Sequence, residues 1–315
     1  YFNYMTVIGR KEFANNSTDT YDIPSPKFLE NRLSIVSSID SKNLYQYTSD
    51  FRSTEDFNGV WDLRLSAERI EAQALASKYY DEIKIFDSDD FDDQMKETYR
   101  NLKISQKKRG YGYWFWKPII LLKVMKEIEP GSIIHYADIG CHIQNKNKRF
   151  YEYLDILIKN KNWLLPFQYH LENINKINEI IFQQREEYKY TKADLLDYFG
   201  CLNDKRITHS PQFWSGTFFM TKCNEAEMFL KKWDDVWKKK FELVDDSESK
   251  LSNFDGFIEN RHDQSIFSIL CKKESIKSLS AYECEWGEKN SKRTWDHNQN
   301  NPILAKRDKK YNFFK

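Results

Sequence analysis

Asp138 is the residue best placed by its surroundings to do chemistry. It follows the apolar run Ser132-Ile-Ile-His-Tyr-Ala137 and opens the turn Asp138-Ile139-Gly140-Cys141. A carboxylate just past a buried strand is presented at the sheet edge, where it can hold a divalent cation. Asp-x-Gly is also ordinary turn chemistry, so the tripeptide has a purely structural reading. His135 and Cys141 flank the strand end and His142 lies four residues beyond the acid; a lone histidine beside an acid is more often structural than a ligand.

Three further segments have the residue types of a binding site. Arg109-Gly-Tyr-Gly-Tyr-Trp-Phe-Trp-Lys-Pro118 combines two glycines, which let backbone approach a ligand closely, with rings at Tyr111, Tyr113, Trp114 and Trp116 that can stack on a base or sugar. Its cations Arg109 and Lys117 can meet a phosphate, and the same rings can equally plug the core. Phe213-Trp-Ser-Gly-Thr-Phe-Phe219 puts Ser215-Gly216 inside a strand pattern, where a glycine marks a bulge or a close approach. His262-Asp-Gln-Ser265 opens a helical stretch, with Asp263 suited to cap it. Trp295-Asp296-His297, followed by Lys306 and Arg307, can fold back over a phosphate or stay solvated.

These segments must be positioned by regular elements. Arg32–Ser38 reads as a short strand ending in Ser37 and Ser38, and residues 81–86 as a second strand. Helical patterns run over 63–78 and from a cap at Ser88 or Asp89 toward Leu102. Pro118 suits the first turn of a helix through Ile128, Pro130-Gly131 is a turn, and 132–137 is a buried strand. Helices at 149–158, 192–199, 224–238 and 262–271 and strands at 163–165 and 213–221 complete the pattern. Strands alternating with helices imply an α/β fold with a mostly parallel central sheet, whose ligands bind at the carboxyl ends of strands. GxGxxG and GxxxxGK[ST] are absent, so neither a dinucleotide nor a P-loop reading finds support.

Composition narrows the function classes. In 315 residues, 49 basic and 48 acidic side chains nearly cancel, which argues against a nucleic-acid binder. An aromatic content of 16% supplies enough apolar area for a core despite a charged fraction of 31%. Five widely spaced cysteines without a CxxC point to reduced thiols and a cytoplasmic location, with association at the inner face of a membrane left open. No stretch approaches the roughly 18–20 apolar residues of a membrane span. Residues 1–28 are expected to form a lead-in or tether, 29–287 the folded domain and 288–315 a polar, basic tail.

In order and spacing over about residues 32–285, RGYGYWFWKPIIL, IIHYADIGC, FWSGTFFMTKC and RHDQSIFSIL resemble bacterial surface-polysaccharide glycosyltransferases of the GT-A type, which serve capsule or lipopolysaccharide synthesis. The resemblance implies a GT-A-like single domain, a nucleotide-diphosphate sugar as donor and a glycan hydroxyl as acceptor. It implies a donor site of Ser37, Arg109, Tyr111, Trp116, Lys117, Asp138, Gly140, Ser215 and Gly216. The group's Asp-x-Asp motif binds a Mn or Mg ion, but its second acid is Gly140 here. Either a metal at Asp138 would then be completed by water, the diphosphate and another ligand such as His142 or His297, or metal dependence is weak. His262-Asp-Gln-Ser265 is similar to the His-Asp-Glu-Ser element of blood-group-type galactosyltransferases and to the Asp-Gln pair of retaining lipooligosaccharide galactosyltransferases. By that similarity Asp263 would hold sugar hydroxyls and Gln264 would lie under the reacting carbon, stabilising positive charge in a retaining transfer. In an inverting enzyme Asp263 would serve as the base. A nucleotidyl or sugar-phosphate transferase and a non-catalytic glycan-binding module are the alternatives.

Overall fold

The computed structural model describes residues 7–8, 34–37, 63–86, 91–101, 112–145, 147–159, 162–172 and 179–306. The fold is α/β, built on a seven-stranded sheet of order β1-β2-β4-β7-β6-β8 with β3 also paired to β2. The strands are β1 (Val7–Ile8), β2 (Ser34–Ser37), β3 (Ile83–Ile85), β4 (Ile133–Ala137), β6 (Leu164–Gln168), β7 (Phe213–Thr221) and β8 (Leu279–Ser280). The element β5 (His142–Ile143) lies outside this sheet and pairs with β11 (Ile303–Leu304).

The sheet is mixed, not mostly parallel as the alternation of elements suggests. β2 runs parallel to β3 and β4, and β6 to β8, while β7 is antiparallel to both β4 and β6 and β1 to β2. A parallel neighbour needs a long crossover, usually helical. Between β6 and β7 the described chain has only the short helices α5 (Glu187–Tyr190), α6 (Ala193–Tyr198) and α7 (Lys205–Thr208), and the strand returns in the opposite direction.

Every residue of β4 is buried, as is every residue of β7 before Thr221. Such unbroken burial requires cover on both faces of the sheet, and consecutive phenylalanines of β7 show where it comes from. Phe218 stacks on Phe267 at 4.9 Å and meets Trp233, so this face is closed by α8 (Asn224–Lys239) and α9 (Asp263–Lys273). Phe219 points the other way to Phe150 and Tyr153 of α4 (Asn147–Lys159). Tyr79, just after α1 (Leu63–Ser77), stacks on Phe150 at 3.9 Å and extends that second layer. Pairs of this kind contribute about 0.5–1.5 kcal/mol each beyond the area they bury.

The helix α2 (Asp93–Asn101) starts later than expected: Asp92 caps it, its carboxylate accepting from the Met95 amide at 2.8 Å. Ser88 and Asp89 lie outside the described residues, as do Ser38, the lead-in other than Val7–Ile8, and residues 307–315. Part of the segment expected as a polar tail is folded, as the hairpin β9 (Gly287–Lys289) and β10 (Lys292–Thr294) and as β11. No described helix is long and apolar enough to cross a membrane, and the five cysteines are free thiols.

Candidate functional site

The carboxyl end of β4 is fixed by its own backbone. The Asp138 amide donates to the Gly216 carbonyl of β7 at 2.7 Å, and the Cys141 amide closes the turn onto the Asp138 carbonyl at 2.8 Å. Buried Arg69 of α1 clamps the same turn, donating to the carbonyls of Cys141 at 2.6 Å and Ile139 at 2.8 Å. Asp138 is thereby held at the strand end with its side chain 29% exposed. Its Oδ1 accepts from the Tyr136 hydroxyl at 2.7 Å. Alternate residues of a strand share a face, so the pairing of Tyr136 with Asp138 follows from local geometry.

Lys117 enters from the first turn of α3 (Trp116–Glu127), a turn that tolerates Pro118 because its amide has no helical partner there. The ammonium is 2% exposed and lies 2.7 Å from Asp263 Oδ2 and 3.5 Å from Asp138 Oδ1. It also donates to the Ser215 carbonyl at 3.3 Å and to Ser215 Oγ at 3.4 Å, and Ser215 Oγ itself donates to Asp263 Oδ2 at 2.8 Å. Burial alone would lower the lysine pKa, but Asp138 and Asp263 more than offset it and hold the pKa above the usual lysine value. Four segments far apart in sequence, carrying Lys117, Asp138, Ser215 and Asp263, thus meet around one ammonium.

The surrounding backbone is strained. Gly112, Tyr113 and Trp114 are left-handed in succession, with φ of 84°, 59° and 67°, and His262 has φ 52°. Left-handed conformation costs a non-glycine residue roughly 1–2 kcal/mol. Ring packing helps offset it: His262 lies 4.5 Å from Tyr113 and 5.9 Å from Trp114. The Tyr113 hydroxyl donates to Asp246 at 2.9 Å, and His262 Nδ1 meets the Val244 carbonyl at 2.6 Å. Strain of this kind clusters at functional sites.

Several expectations change on this geometry. Asp263 is not the cap of α9: it is the first helical residue, and its carboxylate is directed to Lys117 and Ser215. Lys117 is not available to a phosphate, because its ammonium is enclosed by oxygens of its own chain. Trp116 is fully buried and belongs to the core, as does the Tyr113 ring, while Trp114 is half-buried. A Cβ on Gly216 would lie 2.4 Å from the Trp214 indole, so the close approach at this glycine is made by a neighbouring ring. Gly140 lies in the Asp138–Cys141 turn, and the parallel register that sets Ile35 opposite His135 carries the Ser37 backbone level with Ala137. Arg109 and Tyr111 lie outside the described residues.

Gln264 faces a different network from its neighbour Asp263. Its amide donates to Gln212 Oε1 at 2.6 Å, and Gln212 donates to Glu187 at 3.0 Å. Glu187 is completely buried and pairs with Lys272 at 2.6 Å. It also accepts from Thr191 at 2.6 Å and from Ser268.

The metal set of Asp138, His142 and His297 is not assembled, and the described residues hold no group of three or more histidine, cysteine or acidic side chains fit for a metal ion. His142 Nδ1 is hydrogen-bonded to Gln73 at 3.2 Å. His297 Nε2 lies 3.0 Å from the Tyr282 carbonyl and 3.1 Å from that of Glu285, and burial lowers its pKa. Tyr136 and Arg69 were not among the residues expected at the site. The i, i+2 spacing from Asp138 is a signal for the tyrosine, whereas nothing in the sequence links Arg69 to a turn some 70 residues away. Against known protein families, curated proteins and solved structures, the chain has no match.

Proposed function

We propose that this chain is a nucleotide-sugar-dependent glycosyltransferase of GT-A type, moving a hexose-like sugar from a nucleotide-diphosphate donor to a glycan hydroxyl in surface-polysaccharide synthesis. The observation that carries the reading is the convergence of Asp138, Lys117, Ser215 and Asp263 at the carboxyl end of β4. Each comes from a different one of the four segments that resemble those enzymes. In this reading Asp138, the partly exposed member, accepts hydrogen bonds from donor hydroxyls at the mouth of the site. Lys117 lies between Asp138 and Asp263 and fixes the two carboxylates in place. Such preorganised charge lowers a barrier because nothing has to reorganise as charge develops. Gln264, held by Gln212, and Asp263 remain the residues proposed beside the reacting carbon, with a retaining transfer as the outcome. The work would be done on the cytoplasmic side, where nucleotide donors are made.

Thermal unfolding with UDP and GDP tests this. A nucleotide at about 100 times its dissociation constant adds roughly 2.7 kcal/mol to stability. A shift with one base that is lost in Asp138→Asn, and release of free nucleoside diphosphate from the matching sugar donor, are the expected results. Binding of glycan with no response to any nucleotide would sink the transferase reading and leave a glycan-binding module in its place.

A further inference from the structure

Lys117 Nζ lies in a cage made of oxygen: Asp263 Oδ2 at 2.7 Å, the Ser215 carbonyl at 3.3 Å, Ser215 Oγ at 3.4 Å and Asp138 Oδ1 at 3.5 Å. A cage of two carboxylates, a hydroxyl and a carbonyl is the donor set that hard divalent cations take, at about 2.0–2.6 Å. Here the distances are those of an ammonium. We propose that the Lys117 ammonium is the resident cation of this site, occupying the position from which a divalent ion would bridge Asp138 and Asp263, so that ligand binding at Asp138 needs no divalent metal.

Three observations support this. The lysine side chain is 2% exposed and its ammonium lies within 3.5 Å of all four oxygens, so a divalent ion at that point would have to displace it. An ammonium already lies between the two carboxylates, 3.5 Å from Asp138 and 2.7 Å from Asp263, and a second cation beside it would be repelled. The other side chains put forward as metal ligands bond elsewhere, His142 to Gln73 and His297 to two backbone carbonyls. One ammonium against two carboxylates leaves the trio with a single negative charge. The partly exposed Asp138 carboxylate suits hydroxyl donors such as a ribose or hexose diol.

Binding of Mn²⁺ to the full chain, followed by the loss of the free-ion EPR signal, tests the proposal without any nucleotide. The wild-type chain is expected to take up no stoichiometric Mn²⁺. A one-equivalent site in the wild type that disappears in Asp138→Asn would overturn the proposal. Lys117→Met, shown by circular dichroism to be folded, is expected to gain one equivalent of bound Mn²⁺ and to lose it again when Asp138→Asn is added. A folded Lys117→Met that binds none would show that the cage is not a cation site, and if this variant does not fold the wild-type titration still decides. A nucleotide arm rests on the transferase reading: the shift given by UDP or GDP is expected to be the same in EDTA and in Mn²⁺. A shift seen only with Mn²⁺ overturns the proposal and keeps the transferase reading. No shift in either overturns that reading, and the Mn²⁺ titration alone then decides this one.

Discussion

Two buried charge networks meet α9, one through Asp263 and the other through its neighbours Gln264, Ser268 and Lys272, and they are built differently. Around Glu187 the charges balance one to one, and the carboxylate is surrounded by Lys272, Thr191, Gln212 and Ser268. Lys272 also donates to the carbonyls of Ile207 at 3.0 Å and Ser210 at 3.1 Å. Around Lys117 two carboxylates share one ammonium, one of them is 29% exposed, and the flanking backbone is left-handed at three non-glycine residues. The network around Glu187 pairs one carboxylate with one ammonium and ties α5 to α9. The network around Lys117 keeps a partly exposed carboxylate and is held in place at some conformational cost.

That contrast can be broken by substitution. Glu187→Ala leaves the Lys272 ammonium buried without its counter-ion, and the expected loss is about 3–5 kcal/mol in urea unfolding. A loss near zero would mean the network contributes little and would erase the distinction. Gly216→Ala forces a methyl against the Trp214 indole, at an expected cost of about 1–3 kcal/mol. Combining it with Trp214→Leu should recover part of that loss, since the clash is with the indole.

The core beneath the open site gives a pH-dependent test. Thr217 donates its hydroxyl to the Tyr136 carbonyl at 2.7 Å and therefore accepts from His135 Nε2 at 2.8 Å, which leaves Nδ1 to accept from Tyr80 at 3.2 Å. Both nitrogens are engaged by the neutral ring, and burial pushes its pKa down to about 3. Between that value and the ordinary histidine value of about 6.5 the unfolded chain binds the extra proton. Stability is therefore fully present above about pH 6.5 and falls as pH drops toward 3, by at most about 1.4 kcal/mol per pH unit from this residue. Urea midpoints measured from pH 7 to 5 should show a shallower slope in His135→Gln than in the wild type, and equal slopes would remove His135 as the cause.

The smallest effect on stability is expected where the effect on binding is largest. Asp138→Asn keeps the shape of a partly exposed side chain, and its expected cost is under about 1 kcal/mol in the same unfolding assay. If Asp138→Asn is as destabilising as Glu187→Ala, Asp138 is a structural group and the comparison collapses.

Much of this arrangement was legible before any coordinates. The run Phe213–Thr221 reads as a strand and is one, because β-branched and aromatic residues buried on both faces leave an uninterrupted apolar signature. The helices α1, α3, α8 and α9 follow from apolar spacing and from Pro118, and Asp138 follows from its place after an apolar strand. From Gly287 onward, the strands β9, β10 and β11 are two or three residues long, too short to show a period in the sequence.

Sequence by itself determined where most of the elements lie, because periodicity and residue type record burial directly. Tertiary structure alone decided that β7 runs against its neighbours, since an apolar strand carries no mark of direction. It alone turned Lys117 inward to two acids and Gln264 toward Glu187, and brought Arg69 across to the Asp138 turn. Each of those choices is a contact between groups far apart in the chain, fixed only when the layers close around the sheet.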